Sequence, residues 1–244
     1  MDADFLIQAG HQGGKRNSGS GSTPSAGTAG EQALTPVVAN LAANLLRDAG
    51  YSVIRENAFY NKKYSVKVAV SLHFDGSGTK CASGASIGYP AGSPAGSNKP
   101  TADLWRAAYF PHFPFKKMRD NFTKNLSGYY GYAYTSTEVA EFLIEFGELT
   151  CPEQNEWLRA RVADGYLAKM VAHVLDKAVG GKKIPHPGSP VVPVPPPNTS
   201  YDDSELRAAI AALTANLSLA SKAAATAQAR AEAAHARLDK LHGI

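Results

Sequence analysis

The chain is poor in sulfur, with two cysteines and three methionines in 244 residues. It has no C-x-x-C pair and no Cys/His spacing of the zinc-finger kind, which excludes a cysteine-held metal module. Cys81 and Cys151 lie 70 positions apart; two separate thiols are the default reading and one disulfide is the alternative. No apolar run approaches the roughly 20 residues that a membrane span needs. The start, Met1-Asp2-Ala3-Asp4, lacks the basic and apolar regions of a signal peptide. The expectation is synthesis in the cytoplasm without export by the usual route. Strong charge is also missing. The formal net charge is +4; residues 1–184 hold 20 Lys/Arg against 16 Asp/Glu, and the tail from Tyr201 holds five of each. With no block of basic residues, nucleic acid is not an expected partner. A mild excess of this size suits a weakly anionic polymer or a plain solvated surface.

What is present falls into three stretches. Residues 1–184 alternate apolar runs with amphipathic ones, the pattern of an α/β sheet flanked by helices. Residues 5–9, Tyr51–Arg55, Val66–Leu72, Ala85–Tyr89 and Phe142–Phe146 read as strands. Ala33–Asp48 reads as a helix on Leu34, Val38, Leu41 and Leu45, with Gly50 as its stop signal. Thr101–Leu126 reads as mostly helical with interruptions at Pro111 and Pro114, and Glu153–Val179 as one long amphipathic helix. Gly13–Gly30 holds no apolar residue larger than alanine, so it belongs on the surface or over a site.

Residues 185–200 contain seven prolines, from Pro185 to Pro197, and predict an extended spacer of about 3.1 Å per residue. Residues 201–244 predict a helical tail. From Leu206 through Leu217, Ala220 and Ala231 to Leu241, leucine, isoleucine and alanine recur with alternating spacings of four and three. That is a coiled-coil seam, for self-association or for a partner helix, through residues 206–241.

Four residues carry the chemistry. His11 ends the run Phe5-Leu6-Ile7-Gln8-Ala9-Gly10, Glu31 opens a helix after the glycine-rich loop, His73 ends Val68-Ala69-Val70-Ser71-Leu72, and Glu145 stands inside Phe142-Leu143-Ile144-Glu145-Phe146. Sites collect at the carboxyl ends of strands in such sheets. Two imidazoles and one carboxylate form a three-ligand zinc set that leaves a position open for water. A second carboxylate is then needed to move the water's proton to the leaving group. Singly, His11 reads as a turn histidine, His73 as a strand end and Glu31 as an early-turn glutamate. Glu145 is harder to dismiss, because an unpaired carboxylate between Ile144 and Phe146 is costly to bury. Glu141 and Glu148 are rivals for its role, and His112, in an aromatic loop, is a candidate for the cleft wall.

In that order and spacing the residues resemble the zinc-dependent N-acetylmuramoyl-L-alanine amidases of the amidase-3 type. The resemblance covers roughly residues 4–180. It rests on Gly10-His11-Gln12-Gly13, on Glu31, on Ser71-Leu72-His73-Phe74-Asp75 and on Glu145-Phe146-Gly147. It implies an amidase-3-like fold, zinc held by His11, Glu31 and His73, and Glu145 as the catalytic carboxylate. The implied substrate is the bond between N-acetylmuramic acid and L-alanine in peptidoglycan. With no signal peptide, a phage endolysin or an enzyme acting at virion entry or after injection is implied. Departures are Gln8 and Ala9 where the family has an acidic residue and a proline, Asp75 where it has asparagine, and too short a segment between Arg55 and Val66 for the helix expected there. The alternatives are a non-catalytic peptidoglycan-binding scaffold and a zinc peptidase acting on the stem peptide.

Overall fold

The computed structural model describes residues 1–13, 27–58, 60, 62–91 and 98–188. The predicted coiled coil and all but the first four residues of the proline-rich spacer lie outside the described residues. No described helix is long and apolar enough to cross a membrane.

Five strands form one mixed sheet: β1 (Ala3–Ala9), β2 (Val53–Glu56), β3 (Tyr64–Asp75), β4 (Ser86–Gly88) and β5 (Thr135–Glu148), in the order β2-β1-β3-β5-β4. Only β4 runs antiparallel to its neighbour. The near-continuous apolar runs of β1 and β3 are what a parallel sheet buried on both faces requires. β5 starts seven residues before the predicted Phe142. Its first half, Thr135–Val139, is mostly exposed or half-buried and carries little apolar signal, yet pairs with Tyr64–Val66 of β3.

The strand period of two sorts the side chains. Phe5, Ile7, Val68, Val70, Leu72, Phe142, Ile144 and Phe146 point into the main core beneath helices α1 (Glu31–Asp48), α2 (Asn98–Tyr109), α4 (Pro152–Ala163) and α5 (Tyr166–Ala178). The inward face of α1 is Leu34, Val38, Ala39, Ala42, Ala43 and Leu46, rotated from the predicted stripe, and Leu41 is exposed. Its alanines allow close approach to the sheet. The other sheet face has a smaller cluster, Ala3, Leu6, Tyr60, Tyr64, Val66 and Ala69. Seven residues join β2 to β3 across β1. Crossovers between parallel strands ordinarily take a dozen or more, usually with a helix. Here a short strap covers that face with Ala58 and Tyr60, both buried, and none of its described residues is helical.

Two predicted helices are interrupted. The long one breaks at Gly165, whose φ of 75° is left-handed, and Asp164 accepts the Tyr166 N–H at 2.9 Å to start α5. The Thr101–Leu126 segment is helical to Tyr109, makes a 3-10 turn at Phe110–His112 and then runs irregularly to the short α3 (Lys124–Ser127). Pro111 and Pro114 withhold the donors a helix needs. Met118 N–H and Asn121 N–H instead donate to Ala85 and Ile87 carbonyls beside β4.

Cys81 and Cys151 form a disulfide, with Cα atoms 4.6 Å apart, against the expectation of two separate thiols. β3 and β5 are parallel neighbours, and Asp75 pairs with Glu148. The loops leaving their carboxyl ends therefore meet, although they are distant in sequence.

Candidate metal centre and cleft

Each of the four residues is delivered by a different element to the carboxyl end of the sheet. His11 sits in the turn after β1 with φ 57°, and Glu31 is the first residue of α1. His73 on β3 and Glu145 on β5 are direct register partners, on the face opposite the helical core. Glu31 Oε1 lies 3.1 Å from His73 Nδ1 and 3.6 Å from His11 Nε2. One ligand atom from each of the three falls within 4.8 Å of the others. The two imidazole rings meet edge to face at 4.9 Å.

Two glycines make this approach feasible. A Cβ on Gly10 would lie 2.4 Å from the His73 ring, and one on Gly27 would lie 2.2 Å from Glu31 Oε2 and 2.6 Å from the His11 ring. Gly27 also has a left-handed φ of 67°. The backbone fixes the carboxylate: Phe74 N–H donates to Oε1 and Thr28 N–H to Oε2, each at 3.0 Å. Burial acts to raise the Glu31 carboxyl, but the hydrogen bond and charge of His73, with His11 and the Phe74 N–H, hold it below its ordinary value.

Glu145 opens partly onto a cavity of about 490 Å3, but its Oε2 is shut off from solvent and has no hydrogen-bond partner. Burial, then the negative charges of Glu31 and Asp75, push its carboxyl well above the usual range. The cavity floor is His11, His73 and Glu145, and its wall includes Phe122, Leu126, Tyr129 and Tyr130. Asp75, at the rim, is also pushed up by burial.

The rivals are elsewhere. Glu148 is enclosed by donors from the loop after β3: Ser77 Oγ at 2.7 Å, Cys81 N–H at 3.0 Å, and Ser83 N–H and Oγ at 2.7 and 3.0 Å. Burial raises its carboxyl, but the hydroxyls of Thr150 and Ser77 and the N–H and hydroxyl of Ser83 hold it below its usual value, and the loop donors make it an organiser of that loop. Because β5 extends back to Thr135, Glu141 does share the Glu145 face, but it is not a cavity residue. Burial raises it to about 8. His112 does not wall the cleft; its ring packs 5.2 Å from that of His186.

Sequence reasoning missed the tyrosines and Gln8. Tyr129 meets His73 Nε2 at 3.2 Å and donates to Gln8 Oε1 at 2.6 Å. The signal for Gln8 was there, a polar side chain between Ile7 and Ala9 in an apolar strand, as with Glu145. The tyrosines occupy an irregular segment whose position no periodicity reveals.

The donor set tests well for a zinc site: two imidazole nitrogens and one carboxylate oxygen converge, the carboxylate is oriented by backbone N–H groups, and the site opens to a cavity.

No family profile matches the chain, and no curated protein sequence matches it. Solved structures do. The catalytic domain of the N-acetylmuramoyl-L-alanine amidase CwlV of Bacillus (Paenibacillus) polymyxa var. colistinus superposes with TM-score 0.52 at 16% identity, over 73% of this chain and 98% of that one. An N-acetylmuramoyl-L-alanine amidase of Clostridium difficile 630 gives 0.51 at 18%, over 75% and 100%. One from Nostoc punctiforme gives 0.51 at 16%, over 72% and 96%. The chain has the fold of these amidases.

Proposed function

We propose that this protein is a zinc-dependent N-acetylmuramoyl-L-alanine amidase that cuts peptidoglycan between the lactyl group of muramic acid and L-alanine. The convergence of His11 Nε2, Glu31 Oε1 and His73 Nδ1 beside Glu145, on an amidase fold, carries the reading. His11, Glu31 and His73 would hold the metal. When bound, zinc supplies Lewis-acid polarisation of an amide carbonyl and makes water acidic enough to deprotonate near neutral pH. Glu145 takes a proton at its carboxylate and returns it to the departing amide nitrogen. The Glu31 carboxylate stays ionised because its neighbours outweigh burial. Tyr129, Tyr130 and Phe122 offer the aromatic wall against which a sugar ring or a stem peptide would pack.

The chain's composition supports the rest of this reading. The seven prolines of residues 185–200 suit a spacer, and the four-three spacing of residues 206–241 suits a coiled-coil seam that would join copies of the chain or dock on a partner helix. The route to the wall in this reading is that of a phage endolysin, or delivery at virion entry or by injection.

The test is metal content together with digestion of purified peptidoglycan. About one zinc per chain is expected, lost with His73→Ala. Products should carry new L-alanine amino termini and free muramic acid; new termini inside the stem peptide would make it a peptidase, and no product at all a binding scaffold. If the tail joins copies, light scattering should give the full chain a multiple of its monomer mass and a chain ending near Pro185 a single monomer mass.

A further inference from the structure

Gln8 has no part in the chemistry above, yet it is fully buried beside the metal centre. Its hydrogen bonds have only one consistent direction. The Ala58 carbonyl can only accept, so the Gln8 group 2.8 Å from it is the Nε2 amide, which also reaches Tyr130 Oη at 2.7 Å. Oε1 therefore faces Tyr129, whose single hydroxyl proton is given to it at 2.6 Å. With that proton committed, Tyr129 Oη is an acceptor for His73 Nε2, 3.2 Å away. His73 then carries a proton on Nε2, which leaves Nδ1, 3.1 Å from Glu31 Oε1, as the nitrogen that can give its lone pair to a cation at the shared ligand position.

We propose that Gln8, acting through Tyr129, is a positioning residue for His73: it holds the imidazole in the Nε2–H form and so presents Nδ1 as the ligand atom. The inference rests on the zinc reading of the trio. The opposite tautomer would require the Tyr129 proton to turn toward His73, leaving a buried amide oxygen unpaired, which is unfavourable. An amide suits this position where a carboxylate does not. Only an amide can donate to the Ala58 carbonyl while accepting from Tyr129. Gln8 stands where the resembled family has an acidic residue, and the strap that brings Ala58 over the sheet stands where a helix was expected. The two departures answer each other.

The test uses the full-length protein, with zinc affinity measured by chelator competition and the His73 ring nitrogens read by long-range 1H–15N NMR. Tyr129→Phe keeps the ring edge-on to His73, now 5.3 Å between centroids, and removes the acceptor. Zinc affinity should fall about 10–100-fold, the usual cost of losing such an orienting partner. The protected Nε2–H signal of His73 should be lost to exchange. Gln8→Met keeps the volume and removes both hydrogen bonds; it should give the same spectral change with a smaller affinity loss. Thermal unfolding checks that both variants fold. Two folded variants with affinity within about twofold of wild type, and an unchanged His73 signal, would overturn the proposal. So would an effect of Tyr129→Phe without one of Gln8→Met. Failure of the wild-type chain to bind zinc, or binding indifferent to His73→Ala, would instead overturn the zinc reading itself.

Discussion

The two faces of the sheet are built from the same strands but have opposite characters. On one, Phe5, Ile7, Val70, Leu72, Phe142, Ile144 and Phe146 lie beneath four helices, dry and apolar. On the other, Gln8, Ser71, His73, Glu141 and Glu145 lie under a short strap and a tyrosine-rich segment. A shift of one position along a strand moves a residue from core to cleft. Stability should therefore concentrate on one face and chemistry on the other, and substitutions at neighbouring positions can test that separation.

The largest effect is expected at Glu145. Glu145→Gln preserves size and removes the proton acceptor. Turnover on peptidoglycan should fall about 10²–10⁴-fold, the usual range for general acid–base help. Zinc content and melting temperature should hold or improve, because the variant no longer buries an unpaired carboxylate oxygen. Near wild-type turnover would remove the role from Glu145.

Three positions away, Phe142→Ala should do the reverse. Phe142 is 1% exposed in the helical core. Its truncation should cost about 3–5 kcal/mol of stability, read from denaturant melts, while the folded fraction keeps its zinc. Loss of zinc in protein that is still folded would mean that the faces are not separable.

The rim of the cleft should depend on its covalent tie. The Cys81–Cys151 bond closes a loop over a sequence separation of 70. Chain-entropy arithmetic gives such a bond up to about 4 kcal/mol. Thermal unfolding with and without reductant should show a drop of that order. No drop would mean that Glu148 and its four loop donors hold the rim without the bond.

The smallest effect concerns Glu141, a buried carboxyl on the polar face but outside the cavity. Burial raises it from 4.5 to about 8. The folded chain therefore favours the protonated form. Stability is full below the unfolded value and declines as pH rises from about 4.5 to about 8. Glu141→Gln should melt with wild type at acid pH and a few degrees higher at pH 8. Parallel melting curves across that window would show that Glu141 is solvated or paired.

Much of this separation was legible from the residues in order. Strand period and apolar runs depend on local geometry, so β1, β3 and the core of β5 could be read directly, as could the helix opening at Glu31. The cost of burying an unpaired carboxylate marked Glu145 without any neighbour being known. What depends on chain segments meeting in space could not be read this way. The break at Gly165 and the early start of β5 are set by packing and pairing partners rather than by composition. The disulfide exists because parallel strands deliver their ends side by side. The Gln8–Tyr129–His73 chain joins residues more than 120 positions apart, and its direction follows from a backbone carbonyl on the strap. Sequence alone determined which side chains a strand must hide and which four residues could hold and serve a metal. Tertiary structure decided which polar groups meet, because hydrogen bonds are directional and short, and their partners are chosen only when the chain closes on itself.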